Sequence, residues 1–382
     1  AYTASYALPS GFAVTSASCS SPSGSVNTST QDINLSFARG ESYTCVLTSR
    51  DLVGQTTKQI QHFMDNRARQ IISNQPNRAR RIARVKGERN PSSVSMFGQA
   101  LPFGMSPLGV EVTQDQIRLS FSSANANQDE QFIRSKWDFW VEAMFAVYET
   151  GFGEGEFGIV HSGVDYRISD REILGFAIQV DHTKEDVIGS RAKTSGTGWM
   201  IGPYYTARLS DNLYFDTNLK YGQARNEISP LGTYTDDFSS ERWLVDASLF
   251  GSIDRGNLNF QPNLTLSYFE ETSEAYVDSM SLSIPSVTSR LGDLEIGSRV
   301  TWFAPRGDYS AFFEIDGIYT FEASGQVITK SNVSEDFRVR LGIGGSVNIA
   351  ESGVFDFDLK YDGIGDEDYE AISARIGFSM SF

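Results

Sequence analysis

The chain holds only three histidines, His62, His161 and His182, and none sits in a metal-ligand spacing. There is no Gly-x-Ser-x-Gly elbow and no glycine-rich phosphate loop, so acyl and phosphoryl transfer lack their usual carriers. No cofactor is expected and the chain is not expected to be an enzyme. The only thiols, Cys19 and Cys45, both lie near the N-terminus. Such a pair suits one disulfide in an oxidising compartment, with two buried free thiols as the alternative. What the sequence has in quantity is patterned charge. Asp165, Asp216, Glu295, Arg299, Glu314, Asp316, Arg338, Arg340, Asp356, Asp358 and Arg375 each fall on the polar side of a segment that alternates with apolar residues. The chemistry open to them is electrostatic, since a packed soluble core could not bury so many ions without pairing each one. A hydrated or plugged cavity can, and His161 is expected to line the same side.

The elements that must position these charges are strands. From Lys136 to the end, twelve segments repeat with a period of two, the signature of strands with one apolar and one polar face. Trp137, Phe139, Val141, Ala143, Phe145 and Val147 alternate with Asp138 and Glu142; Phe355, Phe357, Leu359 and Tyr361 alternate with Asp356, Asp358 and Lys360. The last segment is Ile372 to Phe382, which stops on an aromatic residue. Short polar turns at 169–172, 210–212, 254–257, 304–308 and 350–353 alternate with longer links at 181–197, 223–242, 270–292 and 321–336. An even number of strands with this rhythm predicts an all-β fold, a 12-stranded antiparallel transmembrane β-barrel with short turns on one rim and long loops on the other. No apolar run reaches the length of a membrane-spanning helix. The mean hydropathy of −0.28 is compatible with a barrel, whose two faces average out.

The segment ahead of the strands has a different character. Residues 50–89 carry ten Lys or Arg against three Asp or Glu, or +7 in a chain totalling −16, so the remainder carries −23. A basic segment beside an acidic body suggests that one docks on the other and argues against a nucleic-acid partner. Residues 51–74 read as a helix: Asp51 can cap it, and Leu52, Ile60, Phe63, Met64, Arg67 and Ile71 recur at three- and four-residue spacing, with Pro76 ending it and a second turn expected over 77–85. The expected division is 1–49, a β-rich N-terminal piece; 50–90, a helix in the lumen; 91–135, a Gly/Ser/Pro/Asn-rich linker that could hold a small hairpin of 110–112 and 117–121; and 136–382, the barrel. In the lumen the apolar Ile60, Phe63 and Met64 would pack on a patch of the wall. Arg67, Arg69, Arg78, Arg80, Arg81 and Arg84 would face Glu314, Asp316, Asp356 and Asp358.

Several short stretches resemble one family. Phe63-Met64-Asp65-Asn66-Arg67-Ala68 followed by Asn74-x-Pro76, the 163–166 and 198–204 stretches (GVDY and GWMIGPY), the 209–216 stretch (LSDNLYFD) and Pro230-x-Gly232-Thr233-Tyr234-Thr235-Asp236 are similar to the translocator domains of autotransporters (type V secretion) in their alphaproteobacterial form. The resemblance covers roughly residues 59–382. It implies a monomeric barrel in the Gram-negative outer membrane, through which an N-terminal passenger reaches the cell surface, with the central helix as what remains of that passage. Arg375-x-Gly377-x-x-Met380-x-Phe382 resembles the signal read by the barrel-assembly machinery. Residues 1–49, with Leu8-Pro9-Ser10-Gly11-Phe12 and the 39–45 stretch (RGESYTC), resemble the closing strands of an immunoglobulin-like surface module, whose members bridge cysteines at the places of Cys19 and Cys45. Such a sandwich needs more strands than this piece holds, and no secretory signal opens the chain, so a processed or fragmentary N-terminus is expected. Some autotransporters cleave their passenger beside an Asn pair; Asn66, Asn74, Asn77 and Asn90 form none, and no cleavage site is assigned. A porin or other diffusion channel is the alternative reading, and the barrel of an adhesin or esterase autotransporter a second.

Overall fold

The computed structural model describes residues 2–5, 7–20, 25–27, 32–35, 44–76, 78–86, 108–112, 116–122, 136–305, 309–325, 337–350, 353–365 and 371–380. Near the N-terminus β1 (Phe12–Cys19) pairs antiparallel with β2 (Cys45–Asp51). Cys19 and Cys45 face each other at its end and are disulfide-bonded. Short strands at Tyr2–Ser5, Ser25–Asn27 and Asp32–Leu35 form a separate three-stranded sheet. β2 runs straight into helix α1 (Leu52–Ser73), followed by α2 (Arg78–Lys86). The start of α1 is fixed twice. Asp51 caps it by accepting the Gly54 amide at 2.8 Å, and the amides of Leu52 and Val53 donate to the Gly11 carbonyl at 3.0 and 3.2 Å. Gly11 itself has φ +87°, a conformation that glycine adopts without strain.

The rest is one antiparallel sheet. Its strands are β3 (Leu108–Val112), β4 (Gln116–Ser122), β5 (Trp137–Glu149), β6 (Gly153–Ser169), β7 (Glu172–Val187), β8 (Lys193–Ser210), β9 (Leu213–Ser229) and β10 (Asp236–Gly251). They continue with β11 (Leu258–Ser273), β12 (Thr288–Phe303), β13 (Tyr309–Gly325), β14 (Phe337–Ala350), β15 (Gly353–Ile364) and β16 (Ala371–Met380). Each neighbours the next in chain order, so β5 to β16 are the twelve strands expected from the sequence. The 108–122 hairpin forms too, but as part of the sheet: β4 pairs along β5 from Gln116↔Ala146 to Ser122↔Trp140. Cα atoms of β3 and β16 come within 8 Å of each other, so the two ends of the sheet meet.

The burial pattern of this sheet is inverted relative to a soluble protein. In β5, Phe139 is 60% exposed while Asp138 beside it is 0%. Trp137, Val160, Phe176, Ile178, Trp199, Leu219, Trp243, Leu266, Phe313 and Ile315 all face outward, whereas Asp165, Gln179, Asp181, Asp216, Lys220, Arg242 and Asp246 are buried. Only a lipid exterior makes the outer face favourable. Aromatic pairs stand at both ends of this apolar band: Tyr221 with Trp243 towards the long-loop rim, and Trp137 with Tyr166 and Trp302 with Tyr309 towards the short-turn rim.

The structure corrects the sequence reading of the long links. β7 and β8 run on to 187 and 193, and β9 and β10 to 229 and 236, so most of 181–197 and 223–242 is strand. The cause is solvation. Beyond the apolar band the outer positions turn polar (Lys184, Thr197, Arg225, Glu241), so alternation disappears while ladder pairing continues. Of the long links, 274–287 remains a folded loop with its own small hairpin, Tyr276–Val277 against Ser283–Ile284.

Candidate functional site

The site is the lumen, which α1 and α2 fill. At the long-loop end Ile60, Phe63 and Met64 are completely buried against Ile228, Phe238, Ile284 and Val287. One turn on, Ala68 and Ile71 pack on Met144, Phe157, Ile159, Met200, Leu244 and Phe269. At the short-turn end Val85 and Ile82 meet Trp140, Ile173, Tyr204 and Tyr214. These three apolar patches lie on the inner face of the wall; the first is the one expected beneath Ile60, Phe63 and Met64, and the other two lie where alternation marks polar residues. Met200, for example, lies within the run Trp199-Met200-Ile201 and has no polar label to mark it as inward.

Between the patches run ion pairs. Arg67, fully buried, donates from Nε to Glu271 Oε2 at 3.1 Å, from Nη2 to Glu271 Oε1 and from Nη1 to Asn226 Oδ1 at 2.8 Å. Its guanidinium also sits 4.6 Å from the Phe63 ring. Arg81 holds Asp216 through two bonds, 2.9 and 2.6 Å; Arg78 reaches Asp246 at 2.6 Å; Arg84 reaches Asp165 at 3.0 Å and Asp138 at 3.9 Å. Neutral contacts fill the remaining turns. Gln59 donates to Thr194 (2.9 Å) and Asn66 to Glu185 (2.6 Å), while Asp65 accepts from Ser289 (2.6 Å). Where α1 ends, His161 Nε2 meets the Asn74 carbonyl at 2.9 Å and Lys220 donates to Gln75 at 3.0 Å. The other two histidines are also accounted for: His182 bonds Thr197 at 2.9 Å and His62 stacks on Phe152 at 4.0 Å.

The wall makes room for these cations with glycines. A Cβ on Gly198 would lie 1.1 Å from Nη2 of Arg242, a residue paired with Asp181 at 3.0 Å, and one on Gly196 would lie 2.7 Å from Nη1 of Arg67. The glycine in Gly198-Trp199-Met200 is thus a vacancy for a wall guanidinium.

The expected partners of the helix differ from the observed ones. Among the described side chains, Glu314 and Asp316 do not receive the helix arginines. Glu314 accepts from Arg299 Nε (2.6 Å) and Lys360 (2.8 Å), and Asp316 lies 3.7 Å from Arg340. Arg340 also bridges Glu295 (3.3 Å) and Asp362 (3.2 Å), and Arg338 pairs with Asp362 (3.3 Å) and Asp293 (3.7 Å). Among the described side chains, these acids of the wall from β12 to β15 are therefore met by cations of the same wall. The acids that meet the helices lie on β5 to β7 and β9 to β11. Asp165 and Asp216 take part in it as members of the expected wall; Glu271, Asn226, Asp246 and Glu185 were missed. Glu271 and Asn226 belong to strand extensions that read as loop, which removed them from the alternation. Arg69 is half-buried on α1. The side chains of Arg80, Asp356, Asp358, Arg375 and Met380, and all of Phe382, lie outside the described residues. In the backbone Asp356 is opposite Gly377 and Asp358 opposite Arg375.

The autotransporter beta-domain family matches residues 151–360. Among solved structures, the chain is similar to the beta domain of the Bordetella autotransporter BrkA, with 16% identity over 65% of this chain and 100% of that one and a TM-score of 0.47. It is also similar to the translocator domain of NalP from Neisseria meningitidis, with 14% identity, 72% and 88% coverage and a TM-score of 0.44. A third likeness is to the transport unit of AIDA-I from Escherichia coli, with 13% identity, 72% and 87% coverage and a TM-score of 0.37. No curated protein matches the sequence.

Proposed function

The chain belongs to the autotransporter beta-domain family, an outer-membrane translocator barrel of Gram-negative bacteria, and on that premise we propose that its N-terminal residues are carried outward through the lumen and held at the cell surface by α1 and α2. In this reading the long-loop rim faces the outside and the short-turn rim the periplasm. Residues 1–49 are the end of an immunoglobulin-like passenger module, tied by Cys19 and Cys45. The barrel acts as a monomer and is of the alphaproteobacterial kind. The 375–382 segment, with Arg375, Gly377, Met380 and Phe382, is what the barrel-assembly machinery binds. The domain needs no catalysis of its own, since its work is conduction and anchoring; a porin would have no use for a helix paired along its length.

The observation that carries this reading is the set of buried pairs Arg67–Glu271, Arg81–Asp216 and Arg84–Asp165, spread along both helices. Breaking a buried pair from one side leaves an uncompensated charge in a dry site, at about 3–5 kcal/mol. Three such pairs make a plug rather than a passing strand. The test is single-channel conductance in planar bilayers. The whole chain should conduct weakly, and deletion of residues 51–84 should raise conductance several-fold while the barrel still shows heat-modifiable folding. Equal conductance of the two folded forms would place the helices outside the pore and end this reading.

A further inference from the structure

The long-loop rim holds a group of oxygen atoms that the lumen plug does not use. Tyr234 and Asp236 lie where the 230–235 loop meets β10, and Tyr276 and Asp278 lie in the 274–287 loop. Both carboxylates are aimed by their own bonds. Asp236 Oδ1 accepts from the amide and hydroxyl of Ser279, the amide at 2.9 Å; Asp278 Oδ1 accepts from the amides of Met280 at 2.9 Å and Leu282 at 2.7 Å. The second oxygen of each is left over. Asp236 Oδ2 and the hydroxyl oxygen of Tyr276 are buried without a hydrogen-bond partner; the Tyr234 hydroxyl and Asp278 Oδ2 are buried with only each other's group in reach, and Asp278 as a whole is only 6% exposed. The four groups lie within one another's field. Burial, then Asp278 and Asp236, push the Tyr234 phenol up to about 12, and burial, the same two carboxylates and Tyr234 raise that of Tyr276.

Two carboxylates that share a dry spot repel each other and lose their hydration, so the arrangement needs a positive charge. Among the described residues no ion pair supplies one. We propose that Asp236 and Asp278, with the phenol oxygens of Tyr234 and Tyr276, form a divalent-cation site that takes Ca²⁺ and fastens the 274–287 loop to the rim. The donors are all hard oxygens, which select Ca²⁺ or Mg²⁺ over zinc, and a site divided between two loops suits the longer, irregular coordination of Ca²⁺ better than the tight octahedron of Mg²⁺. With two carboxylates only, affinity belongs to the range of about 10⁻⁴–10⁻³ M seen in extracellular modules. The consequence reaches the lumen, because Leu282, Ile284 and Val287 of the same loop cover Ile60, Phe63 and Met64 of α1. The cation would thus hold the lid over the plug.

Terbium serves as the probe, since a Tb³⁺ ion in this site would be excited through the adjacent tyrosines. The refolded full chain in detergent should give saturable tyrosine-sensitised emission that Ca²⁺ displaces at lower concentration than Mg²⁺. Asp278→Asn and Asp236→Asn, each checked for heat-modifiable folding, should lose that emission. Asp236 is the less buried of the two, so its variant decides the matter if Asp278→Asn fails to fold. Absence of saturable emission from the unaltered chain means that water or a proton satisfies these oxygens. Emission retained in folded Asp236→Asn means that terbium binds elsewhere. Either result overturns the site.

Discussion

Arg67 shows how much one residue can be asked to do in this lumen. It lies on a helix read correctly from its spacing, and its charge marks it as a cation inside an acidic body. Its partners were not readable, because Glu271 and Asn226 sit where the strands outrun the lipid-facing pattern. The pair also illustrates why burial of ions is a poor source of net stability: desolvation offsets most of the attraction, while loss of one member leaves the other stranded. We expect Glu271→Gln to lower the unfolding temperature of the refolded barrel, with a stability loss of about 3–5 kcal/mol. Arg67→Met combined with Glu271→Gln should restore much of it, since no charge is then stranded. Thermal unfolding followed by the shift in gel mobility of heated and unheated samples reports both. A loss in the double variant equal to the sum of the losses in Glu271→Gln and Arg67→Met alone would mean that the charges do not interact.

At the scale of elements, the sequence disclosed what repeats. Helix α1 and the twelve strands β5 to β16 follow from period, caps and turns, because lipid on one side and a polar lumen on the other impose a strict alternation. Where one of those two environments ends, the signal ends. The outer halves of β7 to β10 are wet on the outside, and the 108–122 hairpin is too short to show a period beyond doubt, so neither its membership of the sheet nor the true length of the loops could be read. The β1–β2 hairpin is a different case, legible through its two cysteines. Its disulfide closes a loop with a sequence separation of 26, for which the chain-entropy model gives about 3–4 kcal/mol. Thiol labelling of the unreduced protein should find no free cysteine. Reduction should expose residues 1–49 to protease while the barrel, which shares no disulfide, keeps its heat-modifiable migration. Loss of the barrel on reduction would show that hairpin and barrel fold as one unit.

Taken as a whole, the molecule separates its charge in space. The helical segment is basic, and the wall it touches presents Asp138, Asp165, Asp216, Asp246, Glu185 and Glu271, while the opposite wall from β12 to β15 pairs its acids with Arg299, Arg338, Arg340 and Lys360. Removing residues 51–84 would therefore do more than widen a path. It would leave one side of the lumen with unpaired carboxylates, and an aqueous channel with such a wall concentrates cations. We expect the deleted form to be cation-selective, with a reversal potential in a KCl gradient of the sign set by K⁺. Screening predicts that this preference weakens as salt rises towards 1 M, where the Debye length falls to about 3 Å. Replacing Asp216 and Asp165 by Asn in the deleted form should reduce the selectivity further without changing the folded barrel. An anion-selective or non-selective pore at low salt would show that the acids on β5 to β7 and β9 to β11 are not what faces the helices, and the electrostatic account of how the plug is held would fail with it.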